Sequence, residues 1–398
     1  MELLEKLLEM TAIEAFMSSP LSLLMLVISF ILLYLGISKG FEPLLLVPIA
    51  FGMMLANFPG GNMAVVDADQ VKDFHLLQIA REYGIMNMLY FTLIKTGLLP
   101  PLIFMGVGAM TDFGPMLRNL RLAFFGAAAQ IGIFSVMIVA VLIGFTPKEA
   151  GALGIIGGAD GPTAIYTSII LAPHLLGPIA IAAYSYMALV PIIIPPVVKW
   201  TTSESELMIN MKEQEKLYPS RVVIKNLTRV KILFPLVLGF FIFLLVPSSV
   251  PLVGFLLFGN LVKEIGQATN RLYQAASETI MNTATIFLGL TVGATMTAES
   301  FLTPQTLLIV GGGFVAFAIS IAGGIFAVKL YNLFASKKIN PLIGATGLSA
   351  VPMASRVANE IALKYDKTNH LLQYAMSSNI SGVIGSAVAA GVLISFLS

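Results

Sequence analysis

The sequence has 398 residues, of which 57% are hydrophobic and only 11% charged, with a formal net charge of +2. A soluble domain carries about 25% charged residues, so a soluble globular protein is excluded. There are no cysteines, which excludes thiolate metal sites, iron–sulfur clusters, disulfides and thiol catalysis.

Residues 1–17 carry Glu2, Glu5, Glu9 and Glu14 against a single Lys6, with Leu3, Leu4, Leu7 and Leu8 on one apolar face. They are expected to form an amphipathic surface helix, not a signal peptide, because a basic start and a small-residue cleavage site are missing. Apolar elements then follow at 20–38, 41–57, 88–110, 121–146, 149–172 and 176–199, with a polar loop over 59–87. A polar connector over 201–230, expected to be a solvated linker, leads to a second series at 231–247, 250–264, 276–298, 306–330, 339–362 and 370–397. Many of these approach the ~20 residues that a spanning helix needs. None alternates with the two-residue period of a membrane strand.

The two series are copies of one unit. Gly158-Ala159-Asp160-Gly161-Pro162-Thr163-Ala164 matches Gly344-Ala345-Thr346-Gly347-Leu348-Ser349-Ala350 at an offset of 186. Nearly the same offset relates Gly108-Ala109-Met110-Thr111 to Gly293-Ala294-Thr295-Met296-Thr297, and Pro43-Leu44-Leu45-Leu46 before Gly52 resembles Pro251-Leu252-Val253 before Gly259. Such internal repetition defines the architecture. The repeats are 18–200 and 231–398.

The fifth element of each copy holds the glycine motif together with Pro162 or Pro352, which disfavours an unbroken helix. It is expected to be a re-entrant hairpin. Each copy then crosses five times, an odd number, so the copies are inverted. The expected fold class is an all-α polytopic membrane protein of two inverted repeats, each of about five spanning helices plus a re-entrant hairpin. With that topology, eighteen of the 23 basic residues fall on one side and only Lys6, Lys72, Arg81, Lys95 and Lys148 on the other. The bias places the connector in the cytoplasm. Inverted repeats with discontinuous helices put the binding site of a secondary transporter near the midplane.

Within that frame Asp160 stands out, because a carboxylate inside an apolar hairpin needs a cation, a proton pathway or a basic partner. Asp160, Thr163, Asn340, Thr346, Ser349, Asn379, Ser381 and Ser386 are the oxygen-bearing side chains available to a hard cation such as Na⁺. Small polar residues of this kind also serve close helix packing, the expectation for Ser381. Arg356, two turns beyond Ser349, has the planar fork that suits a carboxylate; an interfacial arginine pairing with Glu360 is an equally good reading. Tyr184 and Tyr186 lie mid-segment, where a hydroxyl can donate, ligate or pack. Asp112 and Glu299 occupy matched loop positions and are expected to be solvated. The three histidines, His75, His174 and His370, lie near segment ends as ordinary interfacial residues. No phosphate-binding glycine loop is present.

The segments 157–163 and 340–356 resemble the two signature segments of the β subunits of biotin-dependent, sodium-pumping decarboxylases (oxaloacetate, glutaconyl-CoA and methylmalonyl-CoA decarboxylases). The similarity runs from about Phe91 onward, and residues 1–90 are less distinctive. The resemblance implies a membrane-embedded decarboxylase that acts on carboxybiotin, consumes a proton and exports Na⁺. It implies that Asp160 takes part in Na⁺ binding and that Asn340, Gly344 and Ser349 belong to the second motif, Ser349 as a Na⁺- or proton-coupling hydroxyl. Arg356 would hold the carboxybiotin carboxylate, Asn379 and Ser386 would be the polar positions of the last helix, and Tyr186 a functional tyrosine. The expected metal set is then Asp160, Thr163, Asn340, Gly344, Ser349, Asn379 and Ser386, with Arg356 and Asn340 toward the carboxybiotin and Arg356, Ser349 and Tyr186 as the catalytic residues.

The implied partners are a biotin carrier subunit, a carboxyltransferase subunit and a small membrane subunit, in a homo-oligomer in the lipid bilayer of the bacterial inner membrane. This chain has no Met-Lys-Met biotin-attachment sequence, so carboxybiotin must come from a partner, and no nucleic acid is expected. The competing reading is an elevator-type secondary transporter, an ion/organic-anion symporter or cation/proton antiporter, not coupled to decarboxylation. A purely structural anchor has no use for Asp160.

Overall fold

A computed structural model describes residues 11–40, 43–66, 71, 75–218, 226–350 and 352–398. Most of the amphipathic helix expected over 1–17 lies outside the described residues, as do Lys72, Arg221 and Lys225. All described regular elements are helical. The longer ones are α1 (Pro20–Ser38), α2 (Pro43–Ala56), α3 (Leu99–Met110), α4 (Leu120–Ala129), α5 (Ile131–Ile143), α6 (Pro147–Gly154), α7 (Gly161–Leu171) and α8 (Leu176–Thr201). They continue as α9 (Leu227–Leu245), α10 (Val250–Ile265), α11 (Met281–Ala294), α12 (Pro304–Phe334), the single turn α13 (Leu342–Ala345), α14 (Met353–Tyr365) and α15 (Leu372–Leu397). Their bounds follow the apolar elements expected from the sequence, and among the described residues six helices, or up to eight counting bent pairs, are long and apolar enough to cross a membrane. Their outward faces are apolar, as on α9, where Leu233, Leu236, Phe240 and Leu244 are exposed. A band of this kind is matched to lipid, not to water.

The chain forms two compact units. One comprises residues 1–99 and 282–310, the other 100–281 and 311–398. In the first, α2 and α11 cross through glycines: a Cβ on Gly52 would lie 2.3 Å from the Leu290 carbonyl oxygen, and one on Gly293 2.1 Å from that of Ile49. Asn57 closes the end of the crossing, donating from Nδ2 to Met296 O (2.7 Å) and accepting from Ala298 N–H (3.1 Å).

The second unit repeats the device with the complementary pair of elements. A Cβ on Gly108 of α3 would lie 1.8 Å from Leu256 O of α10, and one on Gly259 of α10 1.9 Å from Met105 O of α3. The second element of each repeat thus packs on the third element of the other. With lipid tails as apolar as leucine, there is no hydrophobic drive to bring helices together, and close backbone approach at small residues supplies the packing instead.

Asp112 is not free in solvent. It accepts from Lys231 Nζ (2.5 Å) and Gly114 N–H (2.8 Å), while Lys263 Nζ donates to Thr111 O (2.9 Å). Partial burial pushes the Asp112 carboxyl up, but the Lys231 and Gly114 donors outweigh it and hold it below the ordinary carboxylate range. A depressed carboxyl stabilises the fold above its ordinary value, and that contribution disappears as the pH falls through the lowered one.

The connector is also packed. Leu207, Asn210 and Met211 are buried. Asn210 donates to Asp366 Oδ2 (2.8 Å) and Thr368 Oγ1 (3.0 Å), and Tyr374 donates to Glu215 Oε2 (2.5 Å). The charged composition favours solvation, but the connector's polar side chains find partners just beyond α14 and at the start of α15.

The glycine crossings yield a test. Gly259→Val forces overpacking against Met105 O and should cost about 1–3 kcal/mol, lowering the thermal midpoint of the purified protein. Gly312→Ala faces open space and should leave the midpoint unchanged. Equal midpoints for the two variants would show that the crossing does not hold the fold.

Candidate functional site

Both glycine motifs interrupt a helix. α6 begins with a capping box at Thr146 and Glu149, with Pro147 in its first turn, and continues through a tight turn at Ile155–Gly158. The chain then breaks at Ala159, whose φ of +54° is uncommon for a residue with a Cβ. That reversal makes Asp160 the N-cap of α7, its Oδ1 accepting from Thr163 N–H at 3.1 Å. In the second motif α13 ends at Ala345, and α14 begins only at Met353, after the break that contains Ser349.

The two breaks touch. Ser349 N–H donates to Gly158 O at 3.0 Å. α15 packs into the same place, since a Cβ on Gly382 would lie 2.3 Å from Gly347 O.

This convergence assembles a chain of oxygens. Ser386 Oγ donates to Asp160 Oδ2 (2.6 Å) and lies 2.6 Å from Ser349 Oγ, which in turn reaches Gly382 O at 3.2 Å. Asp160 is 4% exposed, and Thr163 and Ser386 are fully buried. Among the described residues no lysine, arginine or histidine pairs with Asp160, and no cluster of histidine and acidic side chains suits a transition metal. Instead the site offers one carboxylate and several neutral oxygens. That is the donor chemistry of a hard cation of low charge. Thr163 Oγ1 and the Tyr184 hydroxyl, both buried, have no well-formed hydrogen bond, so lone pairs are available there.

The remaining residues singled out from the sequence surround this chain at different removes. Asn379 donates to Leu348 O and accepts from Ser355 Oγ (3.2 Å), bracing the second break from α15. Asn340 donates to Leu207 O (2.8 Å) and Ile209 O (3.0 Å), which ties the entry of α13 to the connector. Gly344 allows contact with α12, since a Cβ there would lie 2.0 Å from Gly324 O. Neither Asn340 nor Gly344 has a bond to Asp160.

Arg356 is exposed on the first turn of α14 and makes no ion pair among the described residues, with Glu360 or any other acid. Tyr186 packs its ring on Gly313 and edge-on to Phe314. It is Tyr184 that lies against the first motif, with its ring 2.4 Å from where a Cβ on Gly161 would stand. α8 bends by 68° between Tyr184 and Leu189. Pro191 accounts for the bend, because it leaves the Met187 carbonyl without its helical donor. Met187 Sδ then accepts from Gly161 N–H at 3.4 Å.

Two contributors were missed in the sequence. Met187 carried no signal there. Gln130 carried one: it is an amide inside an apolar run, at the junction of α4 and α5, and Nε2 reaches Gly126 O, Gly347 O and Gly382 O at 3.1, 3.4 and 3.3 Å. A separate cavity of 980 Å³, lined by Ile131, Glu206, Phe326, Lys329 and Lys338, includes none of the oxygen chain. Its lysines are engaged, Lys329 with Glu206 at 3.1 Å and Lys338 with Asn332 O.

Comparison with known proteins supplies the family. The model of the Na⁺-transporting oxaloacetate decarboxylase beta subunit matches residues 21–397, extending well into the N-terminal region that carries no distinctive motif. The methylmalonyl-CoA decarboxylase subunit beta of Propionigenium modestum is 49% identical, with 94% of each chain covered. The oxaloacetate decarboxylase beta chain 2 of Salmonella typhimurium is 46% identical, again over 94% of each, and the methylmalonyl-CoA decarboxylase subunit beta of Veillonella parvula is 47% identical over 94% of this chain and 93% of its own. A buried, unpaired carboxylate at the meeting of two broken helices therefore stands in a chain that belongs to the family of Na⁺-transporting oxaloacetate decarboxylase beta subunits.

Proposed function

We propose that this chain is the membrane subunit of a Na⁺-transporting decarboxylase, which decarboxylates carboxybiotin delivered by a partner and couples that step to Na⁺ export. The observation that carries the reading is the Asp160–Ser386–Ser349 oxygen chain, which has no cationic side chain to balance it. Burying an unbalanced carboxylate costs several kcal/mol, and a bound Na⁺ or a proton removes that cost. The two alternatives compete for the same oxygens, so arrival of Na⁺ expels a proton.

That proton has a use. In carboxybiotin the bond between the ring nitrogen and the carboxyl carbon breaks, the electron pair stays on nitrogen, CO₂ leaves, and nitrogen takes up one proton. Arg356, exposed and with no ion pair among the described residues, is suited to hold the anionic carboxyl by two parallel hydrogen bonds. The partners are a biotin carrier, a carboxyltransferase and a small membrane subunit, and the membrane is the bacterial inner membrane.

Asp160, Thr163, Ser349 and Ser386 would hold Na⁺. Asn379, Asn340 and Gly344 would keep the second break in shape, and Tyr186 would lie along α8 beside the moving parts. The inverted arrangement of the repeats is favoured by the odd number of crossings per copy, the basic bias and the reciprocal glycine crossings. Two hairpins that enter from opposite sides and meet tip to tip leave an ion within reach of each side in turn.

Three variants test the assignment in the assembled complex. Asp160→Asn should abolish both Na⁺-stimulated CO₂ release from carboxybiotin and thermal stabilisation by Na⁺. Unchanged Na⁺ dependence in that variant would sink the proposal.

Arg356→Lys loses one of two charge-assisted contacts, about 1.5–3 kcal/mol. It should raise half-saturating carboxybiotin about ten- to hundredfold without changing stabilisation by Na⁺. The assignment of Arg356 fails if carboxybiotin saturation is unmoved.

Thr163→Val breaks no well-formed side-chain hydrogen bond in the ion-free protein. Its melting midpoint in choline medium should equal that of wild type while the added stability in Na⁺ shrinks. If both midpoints stay at wild-type values, Thr163 is not a ligand.

A further inference from the structure

Gln130 is 6% exposed and lies where α4 gives way to α5. Its orientation is determined by its surroundings. Nε2 faces three backbone carbonyls, those of Gly126, Gly347 and Gly382, and an amide turned over would set its oxygen against all three. Oε1 therefore points the other way, and it has no hydrogen-bond partner.

The place it points to is the first break. The position of a Cβ on Gly158 would lie 3.1 Å from Ile133 Cδ1, 3.3 Å from Ser386 Cβ and 3.6 Å from Gln130 Oε1, so the amide oxygen and the serine that binds Asp160 both come up against Gly158. Gly385 lets the amide approach, since a Cβ there would lie 3.1 Å from Gln130 Cγ. A carbonyl oxygen can only accept. Left unpaired in a buried site it costs about 1–3 kcal/mol, and natural proteins rarely leave such a group without a donor or a cation.

We propose that Gln130 Oε1 is a further ligand of the cation held at Asp160, and that it helps set which cation the site accepts. The inference rests on the reading of Asp160 as a Na⁺ site. One carboxylate with neutral hydroxyl and amide oxygens balances a single positive charge. A second carboxylate at the position of Gln130 would instead favour a divalent ion. Because Nε2 is tied at once to α4, to the second break and to α15, the oxygen stays in place only while those three elements remain together. Gln130 thereby links ion binding to the packing of the second repeat.

The test uses the complete decarboxylase complex and the variant Gln130→Met, which keeps the length of the side chain and loses the oxygen. Half-saturating Na⁺ for CO₂ release from carboxybiotin should rise about tenfold, and the ratio of Li⁺ to Na⁺ activation should change. A merely structural role would lower the melting midpoint equally with and without Na⁺ and leave half-saturation within about twofold of wild type, and that result overturns the proposal.

Absence of any Na⁺ dependence in the wild-type complex would instead be a failure of the Na⁺ reading itself. If Gln130→Met does not fold, electron cryomicroscopy of the wild-type complex in Na⁺ and in choline decides. Density at coordinating distance from Oε1 that requires Na⁺ supports the ligand. A feature there that persists in choline, or none in either medium, refutes it.

Discussion

Asp160 is an acid in the interior of a membrane protein, and among the described residues no basic side chain stands against it. Its hydrogen bonds come from a serine and from its own helix, which orient a carboxylate but do not neutralise it. A fixed arginine or lysine would have made the site stable and inert. Without one, only a proton or a cation can remove the cost of the charge, and this is the exchange on which the proposed function rests. The broken helices free backbone, the glycines let three elements converge, and the hydroxyls of Ser349 and Ser386 extend the carboxylate into a set of oxygens.

Much of this was legible in the sequence. The apolar elements and the interruption of the fifth in each series come from the length of apolar runs and the placement of glycine and proline, the features that membrane insertion reads most directly. Asp160, Ser349 and Ser386 stood out because polar atoms in an apolar segment are costly enough to demand a reason. The same logic applied to Gln130 would have found it, since it interrupts an apolar run in the same way. Being uncharged, it drew less attention than a carboxylate.

The residues whose roles the sequence left open share a physical cause. Tyr184 and Tyr186 are two positions apart on one helix and so face opposite ways, Tyr184 to Gly161 of the first motif and Tyr186 to Gly313 of α12. Asn340 looks like a ligand by its chemistry; its Nδ2 donates to the connector carbonyls of Leu207 and Ile209 and its Oδ1 accepts from Leu342 N–H, contacts that the sequence does not announce. The connector itself has the composition of a linker but is buried at Leu207, Asn210 and Met211. In each case the surroundings are made by segments far apart in sequence, which local pattern does not encode.

The bond from Ser386 to Asp160 spans 226 residues, and the bond from Ser349 to Gly158 joins the same two halves. Synthesis runs from the N-terminus at about 5–20 residues per second. For many seconds the nascent first half therefore contains the carboxylate without the two hydroxyls that receive it. During that interval Asp160 has only the donor of its own helix, and the bonds that join the first break to the second and to the last helix form once α15 has been made. The chain of oxygens around Asp160 is thus completed only by the part of the protein that is made last.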